Sequence, residues 1–162
     1  MRSRLLVPGA CLAALTATGC AAQQIDVGKS AKLIQQAIEE QIGSEVKAIQ
    51  CPDEVKVKAK ASFTCVVTGG DGTTGIATVT QTDGKGTISV TAPFLNKDEA
   101  ELSIQNDLRT RLPRATVVCP DIVILRTRGT FDCAANLGEI NATIAATLTD
   151  AKGAFRYTVK SR

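Results

Sequence analysis

The motif Cys51-Pro52-Asp53 running to Phe63-Thr64-Cys65 returns as Cys119-Pro120-Asp121 running to Phe131-Asp132-Cys133. In both copies the second cysteine lies 14 positions after the first, a phenylalanine stands two residues before it, and 68 positions separate the copies. A chain of 162 residues that repeats such a motif is constrained to two small units, placed at residues 29–92 and 95–162. A unit of that size has a core that rarely supplies more than about 3–5 kcal/mol. Closing a loop of about 15 residues adds roughly 3 kcal/mol, so a covalent staple in each unit has a physical purpose.

The six cysteines are not equivalent. Cys11 and Cys20 fall in the N-terminal segment, and the other four allow three connectivities. Duplication favours Cys51 with Cys65 and Cys119 with Cys133, because a unit that once stood alone had to close on itself. Four thiolates could instead bind zinc, but structural zinc ligands usually lie two to four residues apart, and the chain has no histidine. Lasting disulfides place the protein in an oxidising compartment.

The N-terminus agrees with that compartment. Arg2 and Arg4 precede an apolar run from Leu5 to Leu15, and Gly19-Cys20 closes the segment. Residues 1–19 are expected to be a secretory signal, too short to remain as a bilayer-spanning helix. Its end resembles a bacterial lipobox, with Cys20 as the acylated residue, although Ala17 stands where leucine is commonest; the simpler account is an ordinary signal with a chance cysteine. Residues 20–28 then form a lipidated tether on the extracytoplasmic face of the cell membrane. Cleavage before Cys20 leaves 17 basic against 16 acidic residues, a net charge of +1. That balance makes no case for nucleic acid as a partner.

From Lys29 the apolar residues Leu33, Ile34, Ala37, Ile38 and Ile42 recur at helical spacing, and Gly43 supplies a stop. The second copy offers Asn96 as N-cap with Glu99 three residues on, then Ala100, Ile104, Leu108 and Leu112 before Pro113. Afterwards the period becomes two. Val46 to Cys51 and Ala115 to Cys119 read as first strands, and Val55 to Val67 alternates as one strand or two pieces joined at a bend, the bend being favoured by Gly129 in copy two. Gly69-Gly70-Asp71-Gly72 is a turn, and Thr-rich strands follow at Ile76 to Thr82 and Ala142 to Thr149. Asp83-Gly84-Lys85-Gly86 and Asp150-Ala151-Lys152-Gly153 are equivalent hairpin turns. Last strands carry Ile88, Val90 and Ala92, and Phe155, Tyr157 and Val159. The expected fold class is α+β: two repeated small domains, each one helix packed on a roughly four-stranded antiparallel sheet with one disulfide.

A lipobox, a helix, Cys-Pro-Asp, Phe-x-Cys, a Gly/Asp-rich turn and a Thr/Val strand together resemble the actinobacterial secreted and lipoprotein family called domain of unknown function 4333. The resemblance runs over about residues 25–92 and again over 95–162, which makes a tandem. Asn136-Leu137-Gly138-Glu139 departs from the glycine-rich turn of copy one. The resemblance implies an envelope protein with a compact α+β unit and implies no activity.

Catalysis finds little support in the sequence. Without histidine the commonest general base and the imidazole-activated nucleophiles are missing. Asp53, Glu54, Asp71, Asp83, Asp121 and Asp150 fall in turns, where such residues bond nearby amides, and units this small offer little room for the paired carboxylates of a glycosidase. Gly69-Gly70-Asp71-Gly72 lacks the Gly-Lys-Ser/Thr of a phosphate loop, and Asn141-Ala142-Thr143 reads as strand sequence rather than a glycosylation site. No cofactor and no metal are expected. The expected function is a non-catalytic binding or adaptor module for an envelope protein; a spacer without a ligand, or a small enzyme inhibitor, are the alternatives. One surface draws notice. Lys56, Lys58 and Lys60 alternate with apolar residues as though on one strand face, and Arg126 and Arg128 match the last two across the repeat. They are candidate contacts to anionic lipid or an anionic envelope polymer; a solvated face that guards an edge is the simpler account.

Overall fold

The computed structural model describes residues 24–25, 27–110, 112–136 and 140–161. The signal, Cys20 and residues 137–139 of the second-copy turn lie outside them.

Each repeat is one helix followed by an antiparallel meander. In the first, α1 (Val27–Ile42) precedes β2 (Val46–Gln50), β4 (Ser62–Gly69), β5 (Thr74–Gln81) and β6 (Ile88–Thr91), and these four strands form a sheet in that order. In the second, α2 (Lys97–Arg109) precedes β7 (Thr116–Val118), β8 (Thr130–Asn136), β9 (Asn141–Leu148) and β10 (Phe155–Ser161), again in meander order. Gln50 pairs with Val66 and Val118 with Ala134, so the next rungs hold Cys51 opposite Cys65 and Cys119 opposite Cys133. Both pairs are disulfide-bonded. The 14-residue spacing is thus the loop from one strand to its sheet neighbour.

Alternation in β4, β5, β8 and β9 sends every second side chain under the helix, as period two requires. Ile34, Ile38 and Ile42 of α1 lie over Val67, Ala77 and Val79, while Ala100 and Ile104 of α2 lie over Cys133, Ile144 and Ala146. Gln35 donates to the Val46 carbonyl at 2.9 Å, and the Val46 amide donates to Glu39 at 3.0 Å, fixing α1 along β2. The Asn96 side chain accepts from the Glu99 amide at 2.9 Å, as the cap pattern requires. In the paired turns Asp83 accepts from the amides of Lys85 and Thr87, and Asp150 from those of Lys152 and Ala154.

Several sequence expectations are corrected. Leu33 and Ala37 face solvent, Leu33 at 63% exposure, because a helix on one thin sheet buries only the narrow stripe every fourth residue provides. Helix α2 stops at Arg109 with Thr110 as its C-cap, short of Leu112 and just ahead of Pro113, which cannot continue a helix. Ala92 is buried but lies just past β6. The polar tether contributes a strand, β1 (Gln24–Ile25), which pairs with β3 (Val55–Lys56) in a two-stranded sheet. The long alternating run after Val55 is broken as the bend predicts: β3 ends at Lys56, a turn closes from the Lys58 carbonyl to the Ala61 amide, and β4 begins at Ser62.

Candidate functional site: the junction between the repeats and the surfaces it orients

The two Cys-Pro-Asp motifs are used differently. Asp53 is exposed, whereas Asp121 is buried at 7% exposure against the first repeat. One oxygen of Asp121 accepts from Ser44 Oγ at 2.8 Å and Lys97 Nζ at 2.6 Å, and the other accepts from the Asp71 amide at 2.9 Å. The Asp121 amide donates to Asp71 Oδ2 at 3.0 Å, and the Ile122 amide donates to Thr73 Oγ1 at 3.0 Å. The glycine-rich β4–β5 turn of repeat one is therefore clasped by the second motif. A Cβ on Gly69 would lie 2.5 Å from Asp121 Cβ, so this turn needs glycine for the approach.

Beside the clasp, Phe94 and Ile122 enter the core of the first repeat. They lie over Gly75, where a Cβ would meet the Phe94 ring at 2.4 Å and Ile122 Cγ2 at 2.8 Å. Phe94 bridges Ile124 in the register that Gln24 takes opposite Lys56, and Glu54 stands at the repeat position of Ile122. The wedge is apolar in the copy that docks and polar in the other, where Glu54 is exposed.

Electrostatics follow from that packing. Burial pushes the Asp121 pKa up, but hydrogen bonds from Lys97, the Asp71 amide and Ser44, with the Lys97 charge, hold it below its ordinary value. Asp71 behaves alike: burial raises it, while the Thr73 hydroxyl and amide and the Asp121 amide outweigh both burial and the neighbouring carboxylate. Burial lowers Lys97, and its bond to Asp121 with the charges of Asp121, Glu101 and Asp71 raises it further.

Lys56 lies on β3 and Lys58 and Lys60 in the loop that follows it, while Arg126 and Arg128 lie in the equivalent loop of the second repeat, so the cations do not share one strand face. Lys56, Lys58 and Lys60 are all exposed, but Lys60 sits in the turn at φ 63° and so shares no strand face with Lys56. Buried Gln81 holds this loop: its side chain accepts from the Lys58 amide at 2.7 Å and donates to the Lys56 carbonyl at 3.0 Å, and its carbonyl accepts from the Lys60 amide at 2.8 Å. Arg128 repeats the left-handed φ of 63°, but Leu148 takes the place of Gln81, so there the main-chain bonds from the Arg128 amide to Leu148 and from the Leu148 amide to Gly129 take over without the side-chain bonds that Gln81 supplies. The loops are not brought together. Arg126 lines a cleft with Gly72 and Thr73 at the far end of β4 from Lys60. An eight-residue strand puts roughly 26 Å between them.

A groove runs between α2 and β10. Two adjoining cavities of about 700 and 580 Å³ share Asp107, Phe155 and Tyr157, and the Tyr157 hydroxyl donates to Asp107 across them. Phe155 packs edge-to-face on Phe131, the aromatic of the repeated motif, with centroids 5.7 Å apart. Among the described residues β9 is the one strand neighbour of β10, so the outer edge of β10 is unpaired with any strand.

These features define an α+β protein of two disulfide-stapled helix-and-meander repeats, joined by an asymmetric clasp. The family model of DUF4333, a domain of unknown function, matches residues 8–86, and over that stretch the chain carries a domain of this family. No curated protein and no solved structure matches the chain. Sequence reasoning placed Asp71 and Asp121 as local turn residues and missed that each serves the other repeat. The signal that distinguishes the copies is the change from Glu54 to Ile122 right after the shared motif.

Proposed function

We propose that the protein is a lipid-anchored, non-catalytic binding or adaptor module on the extracytoplasmic face of the cell membrane, its second repeat being a further copy of the same actinobacterial domain. The observation that carries the binding reading is the groove beside β10. A seven-residue edge strand flanked by a helix, with Phe155 and Leu108 for a floor, suits an extended segment of an envelope protein. Such a segment adds to the edge through main-chain hydrogen bonds and sets alternate side chains into the groove. Gly19-Cys20 and the two disulfides support the anchor and the compartment.

A photo-crosslinker at exposed Ser103, on the groove wall, should give one discrete adduct in native membranes that the same group at Ser62, on the other repeat, does not. Equal labelling from both positions, or none, favours the second reading, a spacer, for which the rigid clasp at Asp121 is the supporting feature. Cys20→Ser should move the protein from the detergent phase to the aqueous phase; unchanged partition refutes the anchor.

A further inference from the structure

We propose that the Lys56–Lys60 loop is a second membrane contact, docking on the anionic phospholipid headgroups beside the acylated Cys20. The proposal rests on the lipoprotein reading and adds which face of the protein meets the bilayer.

The pairing of β1 with β3 carries it. Lys56 stands opposite Gln24, and Gln24 lies only four residues beyond Cys20. Four residues reach at most about 14 Å, so an acyl anchor at Cys20 holds the loop at headgroup depth. The Cys51–Cys65 bond closes the base of the loop, and Gln81 fixes the main chain at Lys56, Lys58 and Lys60. The three ammonium groups make no ion pair or hydrogen bond among the described residues, leaving them free for an external anion. Lys60 keeps a left-handed backbone that glycine or asparagine would adopt more easily, so the loop retains a cation at a conformational cost. The arginine pair lies the length of β4 away, beyond the clasp, and Ile124 takes the place of Lys56 there. That distance leaves the second repeat and its groove clear of the surface.

The test uses the mature chain with Cys20→Ser and vesicles of 30% phosphatidylglycerol in phosphatidylcholine, so it does not depend on acylation; failure of the anchor reading shows separately in the detergent partition of the native protein. Each lysine near an anionic surface is worth about fivefold in affinity. Lys56→Gln with Lys58→Gln and Lys60→Gln should therefore weaken low-salt binding about a hundredfold, while Arg126→Gln with Arg128→Gln changes it less than about twofold. Asp53 and Glu54 oppose the attraction from the start of the loop, so Asp53→Asn with Glu54→Gln should strengthen it. Binding should fade as salt approaches about 0.5 M. Equal loss in the lysine and arginine variants, binding indifferent to salt, or the same lysine-dependent affinity for soluble heparin as for vesicles would overturn the assignment.

Discussion

Asp71 and Asp121, fifty residues apart and in different repeats, each donate a backbone amide to the other's carboxylate, at 2.9 Å and 3.0 Å respectively. Two carboxylates so close would repel, and Lys97, 2.6 Å from Asp121, supplies the compensating charge. The exchange fixes how the repeats sit on one another. Its residues are the ones whose replacement should be felt most.

Asp121→Ala leaves the Lys97 ammonium, the Ser44 hydroxyl and the Asp71 amide without their acceptor, and should cost about 2–4 kcal/mol. Asp53→Ala removes the same motif residue where it is exposed and should cost less than about 0.5 kcal/mol. Urea unfolding of both variants checks this. Equal costs would mean the clasp contributes nothing.

The clasp has a pH window whose sign is set by its groups. Asp71 and Asp121 titrate below their ordinary 3.8 in the folded chain, so their contribution is complete above that value and is lost as pH falls through the depressed pKa values. Lys97 is raised above 10.5, so its contribution is complete below that value and is lost as pH climbs past the folded pKa. The stability gap between parent and Asp121→Asn should be constant from pH 5 to 9 and shrink towards pH 2. A gap unchanged at pH 2 would contradict the assignment.

Gly75→Ala forces a methyl against the Phe94 ring and Ile122, both buried, and should cost about 1–3 kcal/mol. Gly84→Ala, with open space around its added carbon, should be within about 0.5 kcal/mol of the parent. Thermal melts separate them.

Gln81→Ala strands the Lys58 amide and the Lys56 carbonyl from their partners in a buried place and should cost about 2–3 kcal/mol. Arg128→Gly, in contrast, relieves a left-handed backbone and should be neutral or stabilising by up to about 1 kcal/mol. Chemical denaturation measures both. A stabilising Gln81→Ala would show that the loop is not held by this side chain.

Non-reducing peptide maps should contain the 51–65 and 119–133 crosslinks, and replacing either pair by serine should cost about 2–5 kcal/mol. A repeat of this size has little stability beyond that. Loss of one bridge should leave its own repeat the more susceptible to protease.

Much of this architecture is local and so is written in the sequence. Spacing of 14 residues puts each cysteine pair on neighbouring strands, Asn96 with Glu99 starts α2, Asp83 and Asp150 close their turns, and alternating polarity sets which strand faces are buried. Each of these rests on residues a few positions apart, where covalent geometry and periodicity decide. The Cys-Pro-Asp motif is identical in both copies and does not itself say which aspartate is covered; only the next residue differs, Glu54 against Ile122, and what that difference packs against is decided in space. Nor could it place β1 on β3, because two short strands thirty residues apart carry no period to read. Those choices came from surfaces meeting in space: Phe94 and Ile122 bury apolar area only if Gly75 leaves the gap, and Asp121 is worth burying only where Lys97, Ser44 and the Asp71 amide converge.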